Sequence, residues 1–551
     1  MNRRNLLLTV AALGLSGVRA PAARAALKPI PPKLPAGPPV RRWLDIAERL
    51  KPVLVETEQA PLRLVRPVAE PASLLRFRME EIGGPERLET RALTTGEAVI
   101  VDFGGHRTGY LSFDLVAQGR AADSPVRLRL TFGEAPPDVA EPLYPFTGSL
   151  SEAWLQDEII NVDDPPRRVR LPRRYAFRYV KIEVLAAPSR SPVILRNMRA
   201  HAVTSAVLPP PPLPAKASVL QRRIDEVAVA TLRDCLQTTF EDGPRRDRRL
   251  WLGDLRLQAL TNYDTFKAND VVKRCLYLFA ALPRQDGLVT ACVYEKPAPS
   301  YGGAAILDYA ALFGATLDDY VAATGDLETG HDLFAVAKRQ LELLGATVGA
   351  DGLFIDPGDI FLFIDWSETL DRTAAIQGVL IYAYRRVLRL AQRLDREGEV
   401  AGYRAQIDRM VSAARARFYD PKAKVFVSGP GRQVSWASQA WLAIAEVPVT
   451  RAAGAKAILT AMAAGDAVRP VTPYLYHHMV AAMIACGLKS QALALIEGYW
   501  GGMVQAGADT FWEIHDPRGP LTSPYGDIHL NSYCHAWSCT PAYFFRSGGL
   551  V

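Results

Sequence analysis

The sequence has few of the residues that most often bind metal ions in proteins. It contains six cysteines and eight histidines in 551 residues. No Cys-x-x-Cys motif and no two histidines four positions apart occur, and His477 and His478 are adjacent rather than spaced along one helix face. Because zinc sites need such spacings, we predict neither a metal centre nor another cofactor. We interpret the cysteines mainly as buried free thiols, with pairing of some of them in an exported protein as the alternative.

Long apolar runs are also missing. No run reaches the roughly 20 residues that cross a bilayer. A shorter apolar run ends at Val18; it follows Arg3-Arg4 and precedes the small-x-small sequence Ala23-Arg24-Ala25, which is typical of a signal peptide. We therefore expect residues 1–25 to be a Sec or Tat-like export signal and the mature protein to be periplasmic or secreted. No cysteine lies near the expected cleavage point, so we expect no lipid or other membrane anchor.

Runs of basic residues interleaved with aromatics do not occur. The formal net charge is +7, but residues 1–25 contain four arginines and no acid, so the remainder carries +3. The other arginines are scattered. Nucleic-acid binding is therefore not predicted.

Residues 26–207 have the alternating pattern of β-strands. Apolar residues recur at every second position in the runs 98–103, 109–115, 126–132 and 177–184. Glycine, proline and aspartate separate these runs. The pattern predicts an antiparallel β-sandwich of jelly-roll type, with a short helix over residues 41–50 before it.

Residues 217–551 have helical spacing instead. The proline-rich stretch 208–216 predicts a stiff linker, and Ser218 with Gln221 fits a helix capping box. Apolar residues then recur every three or four positions, for example over 333–344 and 376–394. This length of paired helices favours a closed ring of helical hairpins over a simple bundle, although composition alone leaves the choice open.

Carboxylates and arginines are concentrated between Asp242 and Asp254. Asp242 begins an Asp-Gly-Pro turn and could simply cap it. Asp247 stands among four arginines, which a salt-bridged surface loop would also explain. A surface loop does not explain Trp251 and Asp254, which follow Asp247 by four and seven residues. That spacing places the three side chains along one face of a helical turn.

Two further acid–aromatic pairs occur in the helical region, Asp365-Trp366 and Trp512-Glu513. The stretch 531–537, which includes His535, adds amide, phenol, imidazole and indole groups. Each pair alone is more often structural. Three such clusters together indicate a carbohydrate cleft, because sugar cleavage needs one acid for the leaving oxygen, another carboxylate for water, and flat rings against the sugar.

The pattern from Asp242 to Asp254 resembles the signature of the bacterial α-L-rhamnosidases of glycoside hydrolase family 78. The resemblance continues in the same order at residues 308–309, 320–326, 365–366, 510–513 and 531–537, and covers about residues 218–546. It implies an all-α (α/α)6 barrel behind the N-terminal β-sandwich. It also implies an exo-acting, inverting hydrolase that releases terminal L-rhamnose from plant or microbial glycans.

Carried over by position, the resemblance implies that Asp247 is the general acid and Glu513 the general base. It implies substrate-binding roles for a further set of residues: Asp242, Arg246, Trp251, Asp254, Asp365, Trp366, Trp512 and His535. The family usually has glutamate at the acid position, and aspartate places the carboxyl about 1.5 Å further back. A shift of about 1 Å can cost about 100-fold in rate. Compensation by the backbone, a different aglycone, and proton delivery by Asp242 or Asp254 all remain open.

The four arginines around Asp247 raise an electrostatic question. Nearby positive charge lowers the pKa of a carboxyl group, whereas a general acid needs a pKa near the working pH. We therefore expect most of Arg245, Arg246, Arg248 and Arg249 to pair with other acids or to bind an anionic aglycone such as a uronic acid. The alternatives are an (α/α)6 glycosidase of other sugar specificity, a polysaccharide lyase, and a non-catalytic carbohydrate-binding relative.

Overall fold

The computed structural model describes residues 35–119, 121–358, 360–519 and 523–551. The expected signal peptide, residues 1–25, lies outside the described residues. In the described part of the chain, no helix combines the length and the apolar character needed to cross a membrane.

An antiparallel β domain comes first and begins with a short helix, as predicted. Its elements follow one another along the chain: α1 (Arg41–Arg49), β1 (Val55–Gln59), β2 (Arg63–Ala69), β3 (Phe77–Gly83), β4 (Ala98–Ala117), β5 (Val126–Gly133), α2 (Pro136–Ala140), β6 (Asp157–Val162), β7 (Arg167–Arg170), β8 (Tyr175–Ala186) and β9 (Val193–Thr204). The longest hydrogen-bonded path runs β1-β9-β4-β8-β5-β6.

Strand β4 joins the two halves of this domain because it is 20 residues long and pairs with four other strands. Its first half lies between β2 and β8, and its second half between β7 and β9. The predicted runs 98–103 and 109–115 are therefore one strand, with a register shift between Asp102 and Arg107. Gly104 has a φ of +78° there, a conformation that glycine adopts without strain. The shared apolar core confirms the predicted sandwich.

The second half of the chain is almost entirely helical. Its helices are α3 (Val219–Cys235), α4 (Leu252–Asp264), α5 (Asn269–Ala281), α6 (Leu307–Thr324), α7 (Leu327–Gly345), α8 (Thr373–Arg393), α9 (Tyr403–Phe418), α10 (Trp436–Ile444), α11 (Arg451–Ala463), α12 (Pro473–Ala485), α13 (Lys489–Gln505) and α14 (Pro541–Arg546). Short strands connect some of them: β10 (Leu250–Trp251), β11 (Cys292–Tyr294), β12 (Ser300–Tyr301), β13 (Tyr419–Asp420), β14 (Val425–Ser428) and β15 (Gln433–Val434).

The helices form two concentric rings. In the inner ring α4, α6, α8, α10 and α12 pack in this order, and α14 packs against α4. The outer ring is formed by α5, α7, α9, α11, α13 and α3, each packed against an inner neighbour. The sequence explains the division, because α6 is buried on nearly every face whereas α7 buries one stripe that includes Leu333, Ala337 and Leu341. The predicted (α/α)6 barrel is confirmed.

The capping box before α3 forms as predicted. Ser218 Oγ accepts a hydrogen bond from the Gln221 backbone N–H at 3.1 Å, and Gln221 Oε1 accepts one from the Ser218 N–H at 2.8 Å. Residues 208–216, before this cap, contain neither helix nor strand and connect β9 to α3. The domain limits 26–207, 208–216 and 217–551 stay predictions.

The first turns of the inner helices meet at one end of the barrel. Tyr309 in α6 and Tyr474 in α12 have ring centroids 6.0 Å apart. Phe363, in the segment before α8, lies 5.6 Å from Tyr309 and 5.8 Å from Trp537, in the turn before α14. These rings form the floor of the pocket described next.

Candidate active site

A pocket with a volume of about 100 Å³ opens at this end of the barrel. It is lined by acids, aromatic rings and one arginine: Asp242, Arg246, Asp247, Trp251, Asp254, Ile306, Tyr309, Phe361, Phe363, Trp366, Glu513, Tyr525, His535 and Trp537. The structure therefore brings together eight of the ten residues that the sequence analysis selected.

The side chain of Asp242 fixes the loop that carries Asp247. Its two carboxylate oxygens accept hydrogen bonds from the backbone N–H groups of Asp247 and Arg249, each at 3.1 Å. Gly243 is needed at the start of the loop, because a Cβ there would lie 2.7 Å from the Arg246 carbonyl oxygen. Asp242 thus stabilises the turn and also faces the pocket. Its interpretation as a cap of the turn and its interpretation as a pocket residue therefore both hold.

Arg246 lies between the two acids expected to be catalytic. Its Nη1 is 3.2 Å from Asp247 Oδ1 and its Nη2 is 2.6 Å from Glu513 Oε2. Since each C–N bond of the guanidinium is about 1.33 Å long, this path limits the distance between those two oxygens to about 8.5 Å. Two residues 266 positions apart in the sequence therefore face one small pocket without bonding to each other.

Glu513 is held from several sides. The Tyr525 hydroxyl donates to its Oε1 at 2.5 Å, opposite the contact of Arg246 with Oε2. The guanidinium of Arg246 also lies over the ring of Tyr525, 4.1 Å from its centroid. The Trp537 indole N–H donates to the Glu513 backbone carbonyl at 3.0 Å. These contacts fix both the backbone and the carboxylate of Glu513, which is 3% exposed.

Asp254 and His535 form a second polar pair on the pocket wall. Asp254 stands in the first turn of α4 and its Oδ1 lies 3.0 Å from His535 Nε2. The other ring nitrogen of His535, Nδ1, is buried and has no hydrogen-bond partner among the described residues, and the same holds for the indole nitrogen of Trp366. Two polar groups of the pocket lining are thus left for a ligand.

Burial shifts the protonation of this pocket. It raises the pKa of Asp242 to about 7, and the negative charge of Asp247 adds to the effect. It also raises the pKa of Asp254, although the hydrogen bond to His535 opposes the shift. The carboxyl group of Asp242 therefore retains a proton up to about neutral pH.

Two selected residues do not line the pocket. The carboxylate of Asp365 is fully buried and accepts hydrogen bonds from the backbone N–H groups of Val471 at 3.0 Å and Thr472 at 3.1 Å. Trp512 is 3% exposed and packs against His515 and Tyr533. Both residues stabilise the loops around the pocket from behind.

Three of the four arginines near Asp247 have partners other than the catalytic pair. Arg245 bonds to Asp138 of the β domain at 2.7 Å. Arg248 has a φ of +62° and donates from Nε to the Pro244 carbonyl at 2.8 Å. Arg249 stacks on Tyr294, 4.1 Å from the ring centroid. Only Arg245 therefore pairs with another acid as expected, whereas Arg246 contacts Asp247 and Glu513 directly.

Sequence reasoning missed several residues of the pocket. Tyr525 is the most important of them, and it follows Glu513 by twelve residues in a loop with no periodic pattern. Ile306, Phe361 and Phe363 are apolar and were indistinguishable from core residues. The only available signal was position, since Ile306 lies two residues before the motif at 308–309, and Phe361 and Phe363 lie four and two residues before the motif at 365–366.

Comparison with known proteins adds two family matches. Residues 61–202 match the glycosyl hydrolase family 78 α-rhamnosidase N-terminal domain. Residues 218–548 match the bacterial α-L-rhamnosidase six-hairpin glycosidase domain. None of the curated proteins compared with the chain matches it.

Solved structures resemble the chain over most of its length. A rhamnosidase from Klebsiella oxytoca with rhamnose bound is 44% identical, with a TM-score of 0.90, over 93% of this chain and 99% of that one. The family 78 rhamnosidase of Bacillus sp. GL1 is 20% identical, with a TM-score of 0.68, over 82% of this chain and 46% of that one. The Streptomyces avermitilis α-L-rhamnosidase complexed with L-rhamnose is 15% identical, with a TM-score of 0.65, over 90% and 44%. The last two support the fold alone.

Proposed function

The chain belongs to glycoside hydrolase family 78, and from this premise we propose that it releases terminal L-rhamnose from glycans with inversion at the anomeric carbon. The observation that carries the proposal is the position of Arg246, which contacts Asp247 on one side and Glu513 on the other within one pocket. Inverting glycosidases need two carboxyl groups far enough apart to admit a water, roughly 6.5–9.5 Å.

In the proposed reaction Asp247 protonates the glycosidic oxygen as the bond to the anomeric carbon breaks. Glu513 takes a proton from a water that attacks the opposite face of the sugar. The raised pKa of the neighbouring Asp242, about 7, keeps that carboxyl group partly protonated at neutral pH. Asp242 also bonds to the backbone N–H of Asp247, so it is a positioning residue for the acid.

The remaining wall of the pocket is proposed to bind the sugar. Asp254 accepts hydrogen bonds from hydroxyl groups, while His535 Nδ1 and the Trp366 indole N–H lack protein partners among the described residues and are available to a ligand. Trp251, Trp366 and Trp537 supply flat rings for the C–H face of a deoxyhexose. The rhamnose in the Klebsiella relative supports this ligand class.

We also propose that residues 1–25 direct export and that the mature protein acts in the periplasm or outside the cell. The support is the order of an arginine pair, an apolar run and a small-x-small site in the sequence.

Proton NMR of the digestion of 4-nitrophenyl α-L-rhamnoside tests the proposed function. We expect β-L-rhamnose to appear first and to mutarotate afterwards. Initial release of the α-anomer contradicts inversion. Release of a different sugar from a panel of aryl glycosides indicates another specificity, an unsaturated product absorbing in the ultraviolet indicates a lyase, and binding without release indicates a non-catalytic relative.

Two variants test the assigned roles. Glu513→Gln is expected to lower kcat by about 1,000-fold or more on any rhamnoside, because every turnover needs the activated water. Asp247→Asn is expected to lower kcat much more on a rhamnosyl disaccharide than on the nitrophenyl substrate, whose leaving group needs little protonation. Glu368→Gln is the matched control, since Glu368 is an exposed acid in the loop after Trp366. Near-full activity of Asp247→Asn on the disaccharide rules out the acid assignment.

A further inference from the structure

Two aromatic rings and a guanidinium form a stack two residues along the chain from Asp247, outside the set of residues that line the pocket. The guanidinium carbon of Arg249 lies 4.1 Å from the ring centroid of Tyr294 and 5.8 Å from that of Trp154. Arg249 Nη1 also donates to the Tyr294 hydroxyl at 3.3 Å. All three side chains are half-buried, so each has a face in contact with solvent.

The strand pairing places this stack beside the pocket. In β10 and β11, Trp251 pairs with Cys292 and Leu250 with Val293, so Arg249 lies opposite Tyr294. Arg249 directly precedes β10 and contacts Tyr294 at the end of β11, whereas Trp251 at the end of β10 lines the pocket. The stack is therefore two residues along the ribbon from the pocket wall.

The position of Asp247 identifies which part of a substrate reaches the stack. A general acid protonates the glycosidic oxygen, so the aglycone must leave on its side of the pocket. The backbone N–H groups of Asp247 and Arg249 bond to the same Asp242 carboxylate, each at 3.1 Å, and Arg249 lies over the ring of Tyr294, so the acid and this ring are close. The group attached to rhamnose must then pass along Arg249, Tyr294 and Trp154.

The charge of Arg249 is not matched by protein acids. Among the described residues no carboxylate lies within ion-pair distance of Arg249 or of its neighbour Arg248. Burial lowers the pKa of Arg248 to about 10, and the positive charge of Arg174 adds to the shift. Arg248 and Arg249 thus leave an excess of positive charge next to Asp247. Arg245 and Arg246, in contrast, are paired with carboxylates.

We propose that Arg249, Tyr294 and Trp154 form the aglycone site and that it takes a hexuronic acid, a sugar ring that bears a carboxylate. Arg249 bonds to the carboxylate, as guanidinium groups commonly do, and Trp154 packs against the face of the ring. This inference rests on the proposed function and specifies its substrate: rhamnose linked to a uronic acid.

The β domain supplies one wall of this site. Trp154 belongs to the segment between α2 and β6, which is held against the helical domain next to the pocket. The Ser149 N–H donates to the Tyr525 carbonyl at 2.7 Å, and the Thr147 hydroxyl donates to Asp527 at 3.2 Å. The same segment therefore orders Tyr525, which contacts Glu513, and presents Trp154 to the leaving sugar.

The test compares matched pairs of disaccharides in which rhamnose is α-linked to glucuronic acid or to glucose, with pairs for the 1→2, 1→3 and 1→4 linkages. The reference substrate is α-L-rhamnosyl fluoride, whose leaving group occupies no aglycone site. We expect the protein to favour the uronide over the glucoside by about tenfold in kcat/KM for the linkage that it cleaves fastest. Raising the ionic strength from about 0.05 to about 0.5 M should narrow the preference.

Variants show which residues cause the preference for the uronide over the glucoside. Arg249→Gln should bring the uronide-to-glucoside ratio close to one, and Arg249→Lys should retain part of it because the charge remains. Trp154→Ala should raise KM severalfold for both disaccharides and less for the fluoride. Arg339→Gln is the control for loss of one positive charge, since Arg339 lies on the outer helix α7.

The outcomes separate the inference from the proposed function. If the fluoride is not hydrolysed, the proposed function is wrong and the inference fails with it. If the fluoride is hydrolysed but no uronide is cleaved faster than its glucoside, the inference alone is overturned. It is also overturned if the ratio survives Arg249→Gln, or if Arg339→Gln lowers the ratio equally.

Discussion

Individual residues in the pocket have more than one partner, and this sharing determines how they act. Arg246 contacts both proposed catalytic carboxylates and stacks on Tyr525. Tyr525 in turn donates to the oxygen of Glu513 that Arg246 does not reach. Both oxygens of the proposed base are therefore held by donors. A carboxylate with fixed oxygens can activate water only in the direction that those donors leave open.

Tyr525→Phe tests this arrangement. The loss of the hydroxyl should lower kcat by about tenfold with a smaller change in KM, because Glu513 keeps its charge but loses one orienting contact. Tyr301→Phe, on strand β12, is the control. An unchanged kcat would show that the hydroxyl does not position the base.

The ionisation of Asp242 makes the free energy of unfolding depend on pH. Its pKa of about 7 in the folded protein exceeds the ordinary value of 3.8, so ionising it disfavours the folded state. The contribution of Asp242 to the free energy of unfolding should fall as pH rises from 4 to 7, by on the order of 1 kcal/mol per pH unit, and level off above 7.

Urea unfolding of Asp242→Asn and of the parent as a function of pH measures this pH dependence of the free energy of unfolding. The variant loses an acceptor for a backbone N–H and is expected to be less stable than the parent at pH 4. It lacks the ionisation, so its deficit should shrink towards pH 7. Asp356→Asn, at an exposed acid, should leave the slope unchanged. Parallel curves for Asp242→Asn and the parent would show that Asp242 does not titrate in this range.

At the residue scale, sequence reasoning succeeded where chemistry and spacing agree. The spacing of Asp247, Trp251 and Asp254 predicts one face of a helical turn. The structure brings them together with Asp242 in one pocket, although β10 covers Leu250–Trp251 and α4 begins only at Leu252. Tyr525 was missed because its role depends on where a loop of irregular conformation returns, which periodicity does not encode. Asp365 was selected for its neighbour Trp366, but adjacent residues in a loop point in different directions, and its oxygens bond to backbone N–H groups instead.

Whole elements differ in how far they could be predicted. The apolar stripe over 333–344 lies within α7 of the outer ring, and the stripe over 376–394 covers most of α8 of the inner ring, which ends at Arg393. Inner helices such as α6 and α12 are apolar nearly all round, so their sequence reveals a buried helix but not its neighbours. Strand β4 was predicted as two strands, because Gly104-Gly105 marks a bulge in one continuous strand as well as it would mark a turn.

Helix α12 contains two histidines that make the barrel sensitive to acid. His477 and His478 are 2% and 1% exposed. His478 stacks against Trp441, with ring centroids 4.2 Å apart, and His477 packs 4.9 Å from Phe544. Burial lowers the pKa of both well below 6.5. They stabilise the fold as neutral rings above pH 6.5, and this contribution is lost as pH falls below 6.5 because the unfolded chain binds the proton first.

His477→Phe should flatten the acid branch of the stability curve. Phenylalanine keeps a flat ring beside Phe544 and removes one group that must stay neutral. The free energy of unfolding of the parent should drop more steeply than that of the variant between pH 6.5 and 5, by at most about 1.4 kcal/mol per pH unit. Chemical denaturation at several pH values measures the slopes, with His331→Phe at an exposed position as control. Equal slopes for parent and His477→Phe would contradict the assignment.

Across the whole molecule, buried charges connect the β domain to the barrel behind the active site. His106 of β4 lies between Asp234 of α3, at 2.8 Å from Nδ1, and Glu134, at 3.0 Å from Nε2. The second oxygen of Glu134 accepts the backbone N–H of Tyr533 at 2.7 Å, two residues before His535. All three charged side chains are almost completely buried. The interface thus orders the loop that carries one wall of the pocket.

His106 serves both carboxylates as a cation. Both of its ring nitrogens face carboxylates, so both act as donors, which the imidazolium form allows. Burial alone would lower the pKa of His106, but the neighbouring Cys534 and the bonds to Asp234 and Glu134 raise it well above 6.5. Burial likewise opposes ionisation of Asp234, and Arg233 with His106 still lowers its pKa to about 2. The stabilisation from His106 is therefore fully present below pH 6.5 and is lost as pH rises through its raised pKa.

In the His106→Gln variant, the β domain and the barrel should therefore unfold in separate transitions. The variant leaves Asp234 and Glu134 buried without their shared cation, a change that costs about 3–5 kcal/mol in comparable buried pairs. At pH 6 we expect calorimetry to show a lower transition temperature and a separate transition of the β domain, where the parent unfolds in one step. The difference should narrow as pH rises above 6.5, because the parent loses its own imidazolium. His331→Gln, at an exposed histidine, is the control and should unfold like the parent. If His106→Gln showed a single transition at the parental temperature, these charges would not hold the domains together.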